Sequence, residues 1–194
     1  SLNKLGTGSG IVTSSPIGID CGVDCSEIYN YNTSVTLTPT PAIGSTFVGW
    51  SGNADCSDGQ VTMDRNKTCT ATFTALSDLI VSAFSDPATA YTGTIISAAN
   101  TVTNQGSGTS VTSYLKFYLS TDAIITTADT YLTQRSVSAL VAGALSSAAT
   151  NISIPLTIAA GSYYIGAIAD DTNTNPETDE TNNTASSAIV VTSG

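Results

Sequence analysis

Apolar and polar residues alternate with a period of two in stretches that recur through both halves of this chain, the pattern of strands that bury one face. Val35 and Leu37 alternate with Thr36 and Thr38, and Cys69, Ala71 and Phe73 share a face against Thr68, Thr70, Thr72 and Thr74. Farther on, Val111, Leu115, Phe117 and Leu119 alternate with Thr112, Tyr114, Lys116 and Tyr118. Ile152, Ile154, Leu156 and Ile158 repeat the period, with Pro155 marking an edge or a bulge. In the second half the pattern predicts strands near 78–84, 94–103, 111–119, 131–138, 150–158, 162–170 and 184–192. Gly93, Gly106-Ser107-Gly108, Gly143, Gly161 and the segment from Asn173 to Asn175 punctuate them. No stretch keeps a 3.6-residue period; residues 122–130 and 136–147 read as loops or one short turn.

Composition explains what fills the outward positions. Of 194 residues, 58 are Ser or Thr, and Thr suits a strand's wet face because its branched carbon favours extended backbone while its hydroxyl tolerates water. Five Lys or Arg stand against fifteen Asp or Glu, with no His, giving a net charge of −10. Without imidazole there is no Ser-His or Cys-His nucleophilic pair and no His zinc ligand. The acidic excess repels phosphate backbones and anionic membrane surfaces, so nucleic acid is not an expected partner. No apolar run reaches the roughly 18 to 20 residues of a helical membrane span, so direct membrane insertion is not expected. The chain opens on Ser1-Leu2-Asn3-Lys4, without a charged-then-apolar leader, so any secretion signal is expected to be removed or to lie outside this sequence.

The distribution of residues then divides the chain. All four cysteines and the single tryptophan, Trp50, precede residue 76, whereas nine of the fifteen acids follow it. The expected domains are 1–75 and 76–194. The junction Thr74-Ala75-Leu76-Ser77-Asp78 carries no Pro or Gly, which predicts a short connection. Seven short strands in the second part match the count of an immunoglobulin-like sandwich, without its Cys…Trp…Cys signature. The fold class expected is all-β: a small disulfide-stapled β domain followed by a seven-stranded immunoglobulin-like β-sandwich.

Specific segments sharpen this. Gly8-Ser9-Gly10-Ile11-Val12, Ser14-Ser15-Pro16-Ile17-Gly18-Ile19, Cys21-Gly22 with Cys25, Val35-Thr36-Leu37-Thr38, Phe47 with Gly49-Trp50-Ser51-Gly52, and Val61-Thr62-Met63-Asp64 leading to Thr70-Ala71-Thr72-Phe73 resemble the divergent InlB-type B-repeat of bacterial surface proteins. Asp78-Leu79-Ile80-Val81, Val102-Thr103-Asn104-Gln105-Gly106, Phe117-Tyr118-Leu119-Ser120-Thr121-Asp122, Ala160-Gly161-Ser162-Tyr163-Tyr164 and Glu177-Thr178-Asp179-Glu180-Thr181-Asn182-Asn183 resemble the CARDB family of adhesion-related β-sandwich modules. The resemblance implies a seven-stranded fold and a place on secreted or cell-surface prokaryotic proteins. It implies no catalytic activity.

Four cysteines permit three pairings. The pairs Cys21–Cys25 and Cys56–Cys69 each close a loop between predicted strands, and the B-repeat pattern pairs them so. Neither a CxxC spacing nor a flanking basic residue supports a zinc or redox site. Trp50, between Gly49 and Gly52, is expected to fill the first core; no second aromatic stands at platform spacing for a sugar.

The acids of the second part form two clusters that are candidates for calcium, whose hard oxygen-loving chemistry suits carboxylates on loops. One is Asp122 with Asp129; the other is Asp170, Asp171, Glu177, Asp179 and Glu180. Neither follows the EF-hand order. In a Greek-key sandwich the third and sixth strands run antiparallel, which predicts opposite ends for the two loops. The alternative role is that of solvated acids closing Asx turns. A glycosidase pair would need a cleft with aromatic subsites, and the second part has no tryptophan. A Lys–Asn isopeptide would need Lys4, Lys67 or Lys116 buried beside Asn and a carboxyl; Lys116 alternates with core residues and is expected to point outward. The sequons at Asn32, Asn66, Asn151 and Asn182 are close to chance in so Asn-, Ser- and Thr-rich a chain.

The function expected is a non-catalytic structural or adhesion module pair, with other modules, copies of itself or a surface ligand as partners, and no required cofactor beyond a candidate Ca²⁺. One alternative is a self-assembling subunit of an extracellular fibre, from β-like termini such as Ile189-Val190-Val191. The other is a calcium-dependent or carbohydrate-binding accessory domain of a larger enzyme.

Overall fold

Alternation sets extended backbone in fourteen strands spread over residues 1–194, all of which the computed structural model describes, and the chain separates into two units, Ser1–Leu76 and Ser77–Gly194. Unit 1 contains β1 (Leu2–Leu5), β2 (Gly10–Ser15), β3 (Ser34–Pro41), β4 (Ser45–Gly52), β5 (Gln60–Thr62) and β6 (Cys69–Ala75), with a 3₁₀ turn at Ala54–Cys56. Two three-stranded sheets result, ordered β1-β6-β4 and β2-β3-β5, with β1 parallel to β6. Their inward positions, Leu2, Val12, Val35, Leu37, Val61, Ala71 and Phe73, meet in one core together with three buried cysteines. Phe47 stands edge-on to both Trp50 and Phe73, with ring centroids 5.1 and 5.6 Å apart, and Trp50 is half-buried against this core.

Unit 2 contains β7 (Leu79–Ser85), β8 (Thr89–Tyr91), β9 (Ile95–Asn104), β10 (Ser113–Ser120), β11 (Thr130–Val137), β12 (Leu145–Ser153), β13 (Gly161–Ala169) and β14 (Thr184–Thr192). A three-stranded sheet, β12-β9-β7, faces a five-stranded one, β11-β10-β13-β14-β8, across an immunoglobulin-like core of eighteen buried apolar residues that includes Leu79, Val102, Leu115, Phe117, Ile152, Ile165 and Val191. Seven long strands are joined by the three-residue β8, which pairs parallel with β14.

One expected strand moves. The segment 150–158 is not a strand throughout: β12 begins at Leu145, inside the stretch read as a loop, and ends at Ser153. Its inward positions include Ser146, Ala148 and Thr150, too small or polar to announce alternation, while Leu156 is 79% exposed. Pro155 follows Ile154, the last residue bonded to the neighbouring segment, through Gly93 and Thr94; a proline cannot extend the ladder. Where β12 comes close to the other sheet, Arg135 of β11 spans the gap, donating from Nε to Asn100 Oδ1 (2.6 Å) and from a terminal nitrogen to the Ser146 carbonyl (2.8 Å).

The outer face of β10 is less wet than alternation predicts. Tyr118 is 4% exposed because residues 121–129 fold back over the five-stranded sheet. Ile125 is buried there, on Gly166 of β13, which sits opposite Tyr118 in the ladder. A Cβ on Gly166 would lie 2.2 Å from the Ile125 side chain, so glycine is what lets that side chain reach the sheet. The Ser186 hydroxyl holds the Ala123 carbonyl at 3.0 Å. Lys116, expected to point outward, lies on this outer face and is half-buried there in an ion pair with Asp171.

Candidate functional site

In unit 1 the sulfurs are bonded as Cys21–Cys25 and Cys56–Cys69, with no free thiol. Cys56 leaves the 3₁₀ turn and Cys69 opens β6, so this bond ties an irregular segment to a central strand. Asn53 caps that turn, its side chain accepting from the Asp55 amide at 3.1 Å. Nearby, Lys67 is 8% exposed, with its ammonium 2.6 Å from Asp55 and 3.0 Å from Asp64. The ammonium's hydrogen bond and charge pull both carboxyls below their usual range, and Asp55 and Asp64 in turn raise Lys67. An amine held this firmly as a cation is not a nucleophile, which removes the isopeptide chemistry considered for Lys67.

The two acidic loops of unit 2 lie at opposite ends of the sandwich. β10 and β13 are antiparallel neighbours, with Ser120 opposite Tyr164 and Leu115 opposite Ala169, so their C-terminal loops leave in opposite directions. In the first loop, Asp122 accepts from the Ile124 amide at 2.8 Å, and Asp129 accepts from the Thr126 amide and hydroxyl at 2.7 and 3.1 Å. Burial pushes the Asp129 carboxyl up, but these bonds, with help from Ser120, outweigh it and hold the carboxyl below its ordinary value. Both acids close turns in a loop whose buried apolar residue, Ile125, is anchored to the sheet.

The second loop, residues 170–183, is more varied. Asp171 takes the Lys116 ammonium at 2.5 Å and the Tyr118 hydroxyl at 2.9 Å; burial and this carboxylate push the Tyr118 phenol upward. Asp179 accepts from the Thr181 amide and hydroxyl at 2.9 and 2.6 Å, which lowers it. Glu180 accepts from the Glu177 amide at 2.9 Å. The Asn173 amide, turned so that its nitrogen faces Glu180, reaches both carboxylate oxygens at 2.9 and 3.2 Å.

Asp170 and Glu177 differ from these. Asp170, at the end of β13, has a positive φ of 47° and is 4% exposed. Its Oδ2 accepts from the backbone and side-chain nitrogens of Asn175 at 2.6 and 3.1 Å, while its Oδ1 is buried and accepts nothing. Glu177 is 8% exposed; its Oε2 accepts from the Leu79 amide at 2.9 Å, and its Oε1 is buried without a donor of good geometry. Burial, then the charges of Glu180 and Asp170, push the Glu177 carboxyl up to about 7, against the pull of the Leu79 amide and of Asn183. The Thr178 amide bonds the Ser77 carbonyl at 2.9 Å, so the loop is also tied to the start of its own unit.

Four further residues belong to this end of unit 2 and were not marked by the sequence pattern as site residues. Asp78 takes amide nitrogens from Asn182 and Gln105, both at 3.0 Å. Asn104 is fully buried and fully bonded, donating to the Gly108 and Leu140 carbonyls and accepting from the Asp78 and Gly106 amides. Asn182 and Asn183 donate, to Asp78 and to the Ala169 carbonyl respectively, but the Oδ1 of each is buried and accepts nothing. The adjacent pair of asparagines after an acidic run was the available signal. No three His, Cys, Asp or Glu side chains converge closely enough to hold a metal by themselves.

Residues 76–187 match the family model CARDB, and residues 6–77 match that of the divergent InlB B-repeat domain. Among solved structures, a CARDB domain from Pyrococcus furiosus, crystallised in complex with di-metal ions, is 21% identical, with a TM-score of 0.48 over 61% of this chain and 96% of its own length. A domain of a putative cell surface protein from Methanosarcina acetivorans is 20% identical, with a TM-score of 0.45 over 61% of this chain and 95% of its own. A β-glucosidase from Listeria innocua, in complex with glucose, is 13% identical with a TM-score of 0.43; the match covers 62% of this chain and 16% of that enzyme. No curated protein matches the chain. No helix is long and apolar enough to cross a membrane.

Proposed function

The chain belongs to the CARDB family, and from that premise we propose that it is a non-catalytic pair of extracellular modules that spaces, displays or links other parts of an adhesion-related bacterial surface protein. The observation that carries this reading is the use of the acids. Asp122, Asp129, Asp171, Asp179 and Glu180 each accept hydrogen bonds from their own loop or sheet, so their chemistry holds loops onto a β framework. A general acid–base pair would instead present its carboxyls to a cleft. Trp50, edge-on to Phe47 at the core, acts as filling and not as a platform for sugar. The test is a panel of glycoside and peptide substrates: no turnover is expected, and turnover abolished by Asp129→Asn or Glu177→Gln would overturn the reading.

A second reading, self-association, is favoured by strand β12. Its nine residues carry no charge and no proline, and all nine pair with β9 without a bulge. The other long edges are interrupted: β7 has a bulge at Ser82, and β11 has one at Leu132 and carries Arg135. Natural sheet edges are ordinarily protected by such devices. At the two ends of the ladder Ala144 and Ile154 bond toward the β9 side, so even-numbered residues face β9. By the two-residue period of an antiparallel ladder, Leu145, Ser147, Ala149, Asn151 and Ser153 turn their N–H and C=O groups outward. A second copy is the fitting occupant: pairing about Ala149 sets only neutral residues opposite one another despite the net charge of −10. Concentration-dependent dimers in analytical ultracentrifugation, lost in Ala149→Pro, are expected; a strict monomer at millimolar concentration would remove the reading.

A further inference from the structure

We propose that Asp170, Glu177 and Asn183, with Asn182 beside them, bind one hard divalent cation of the calcium class. The inference is independent of the module reading above. It starts from a mismatch of donors and acceptors. Asp170 Oδ1, Glu177 Oε1, Asn182 Oδ1 and Asn183 Oδ1 are all buried within one loop of fourteen residues, and none takes a hydrogen bond of good geometry. Buried acceptors are ordinarily satisfied, and leaving one bare costs more when it carries charge.

Asp170, Glu177 and Asn183 are neighbours, and Asn182 precedes Asn183 just ahead of β14. The Glu177 carboxyl feels the charge of Asp170 and the pull of the Asn183 side-chain amide N–H, and the same amide nitrogen bonds the carbonyl of Ala169, the residue next to Asp170. A water molecule donates two hydrogens and cannot serve four acceptors, two of them carboxylate oxygens. The charge is unbalanced as well. Asp78, Asp170, Asp171, Glu177, Asp179 and Glu180 all lie at this end of unit 2, against Lys116, which Asp171 already holds. A cation supplies the positive partner that the bare Asp170 and Glu177 oxygens lack, with the Asn183 carboxamide beside them.

The donor set selects the ion. Every free atom is a carboxylate or amide oxygen, with no sulfur or imidazole, which suits calcium or magnesium over zinc or copper. Two carboxylates and two amides leave coordination positions for backbone carbonyls and water, as calcium's six to eight ligands allow. The remaining acids of the loop are excluded by their own bonds: Asp171 to Lys116 and Tyr118, Asp179 to Thr181, Glu180 to Glu177. An ion here would join the end of β13, the start of β14 and, through the Glu177 bond to the Leu79 amide, the start of β7. It would thus stiffen the end of unit 2 at which that unit begins.

The test uses the full chain, stripped with chelator and titrated with CaCl₂ at constant pH and ionic strength, with MgCl₂ in parallel. Calorimetric binding at one site is expected in the 10⁻⁴ to 10⁻³ M range of extracellular modules. At saturating calcium the melting temperature of unit 2 should rise by about 5 °C, and amide exchange should slow across 170–183. Glu177→Gln and Asp170→Asn should each weaken binding at least tenfold, whereas Asp122→Asn, at the opposite end of the sandwich, should leave it unchanged. If a variant fails to fold, the exchange response of the native chain decides. No heat and no exchange response at 5 mM calcium overturns the site, as does binding kept in both Glu177→Gln and Asp170→Asn. Stabilisation by acid without any response to calcium would assign the free oxygens to a shared proton and overturn it equally.

Discussion

The two units reach stability by different routes, and their buried charges run in opposite directions. Unit 1 gathers eleven buried apolar residues into its core, three of them cysteines of its two disulfides. Unit 2 gathers eighteen and has no cysteine. Small domains bury a smaller share of their surface and use covalent bonds to compensate. Unit 1 also buries a lysine between two accessible aspartates, whereas unit 2 buries acids: Asp78, Asp170 and Glu177. The lesson is that net charge, negative in both, does not say which charge a fold takes inside.

The largest break in this comparison comes from the covalent bonds. Cys56→Ser with Cys69→Ser opens a loop spanning 13 residues and should cost unit 1 about 3 kcal/mol, leaving unit 2 untouched. Scanning calorimetry, with the Trp50 fluorescence transition as marker of unit 1, reads both effects at once. Next in size is Ile125→Ala, which removes the buried side chain resting on Gly166. A loss of about 2 kcal/mol is expected in unit 2 alone, seen as a lower urea midpoint with unit 1 unchanged; an effect near zero would mean that the 121–129 loop is not held to the sheet in solution.

Smaller effects come from single charges. Asp86 is half-buried, with both carboxylate oxygens enclosed and without a well-placed donor. Burial pushes its pKa up, and Ser187 only partly offsets this. A raised carboxyl stabilises when protonated, so its contribution is present at low pH and lost as pH rises through its folded value. Asp86→Asn should therefore raise the melting temperature at pH 7 by about 2 °C and leave it nearly unchanged at pH 3. Unit 1 responds with the opposite sign. Asp55 and Asp64 are lowered by Lys67, so their contribution is present above the ordinary carboxyl value near 4 and is lost as pH falls below it. Lys67→Met should flatten the fall in unit 1's melting temperature between pH 5 and pH 2; a profile as steep as the wild type would show that the ion pairs contribute nothing.

Much of the fold was legible in the chain, and the failures share a cause. β9, β13 and β14 fall within a residue or so of the strands read from the chain, because each carries at least two bulky apolar side chains at inward positions two residues or a multiple of two apart, such as Ile96 with Val102, Tyr163 with Ile165, and Ile189 with Val191. β12 was displaced by five residues because its inward side chains are Ser, Ala and Thr, and such residues look alike on either face. The lid formed by Ile125 was invisible because its burial depends on Gly166, forty-one positions away, having no side chain to obstruct it. Candidate chemistry behaves likewise. The loops were found as clusters of acids, yet which acids have a free oxygen depends on which amides and ammonium groups the fold brings to them.

The sequence by itself determined the class of backbone, the two module types and the region in which sulfur is concentrated, since each is a matter of residue type and local period. Tertiary structure alone decided that Asp171 faces Lys116 while Asp170 and Glu177 each keep a bare oxygen. The physical reason is that hydrogen bonding is a property of pairs. A carboxylate's partners, and hence its charge state and any affinity for a cation, come from strands distant in sequence that only packing brings together.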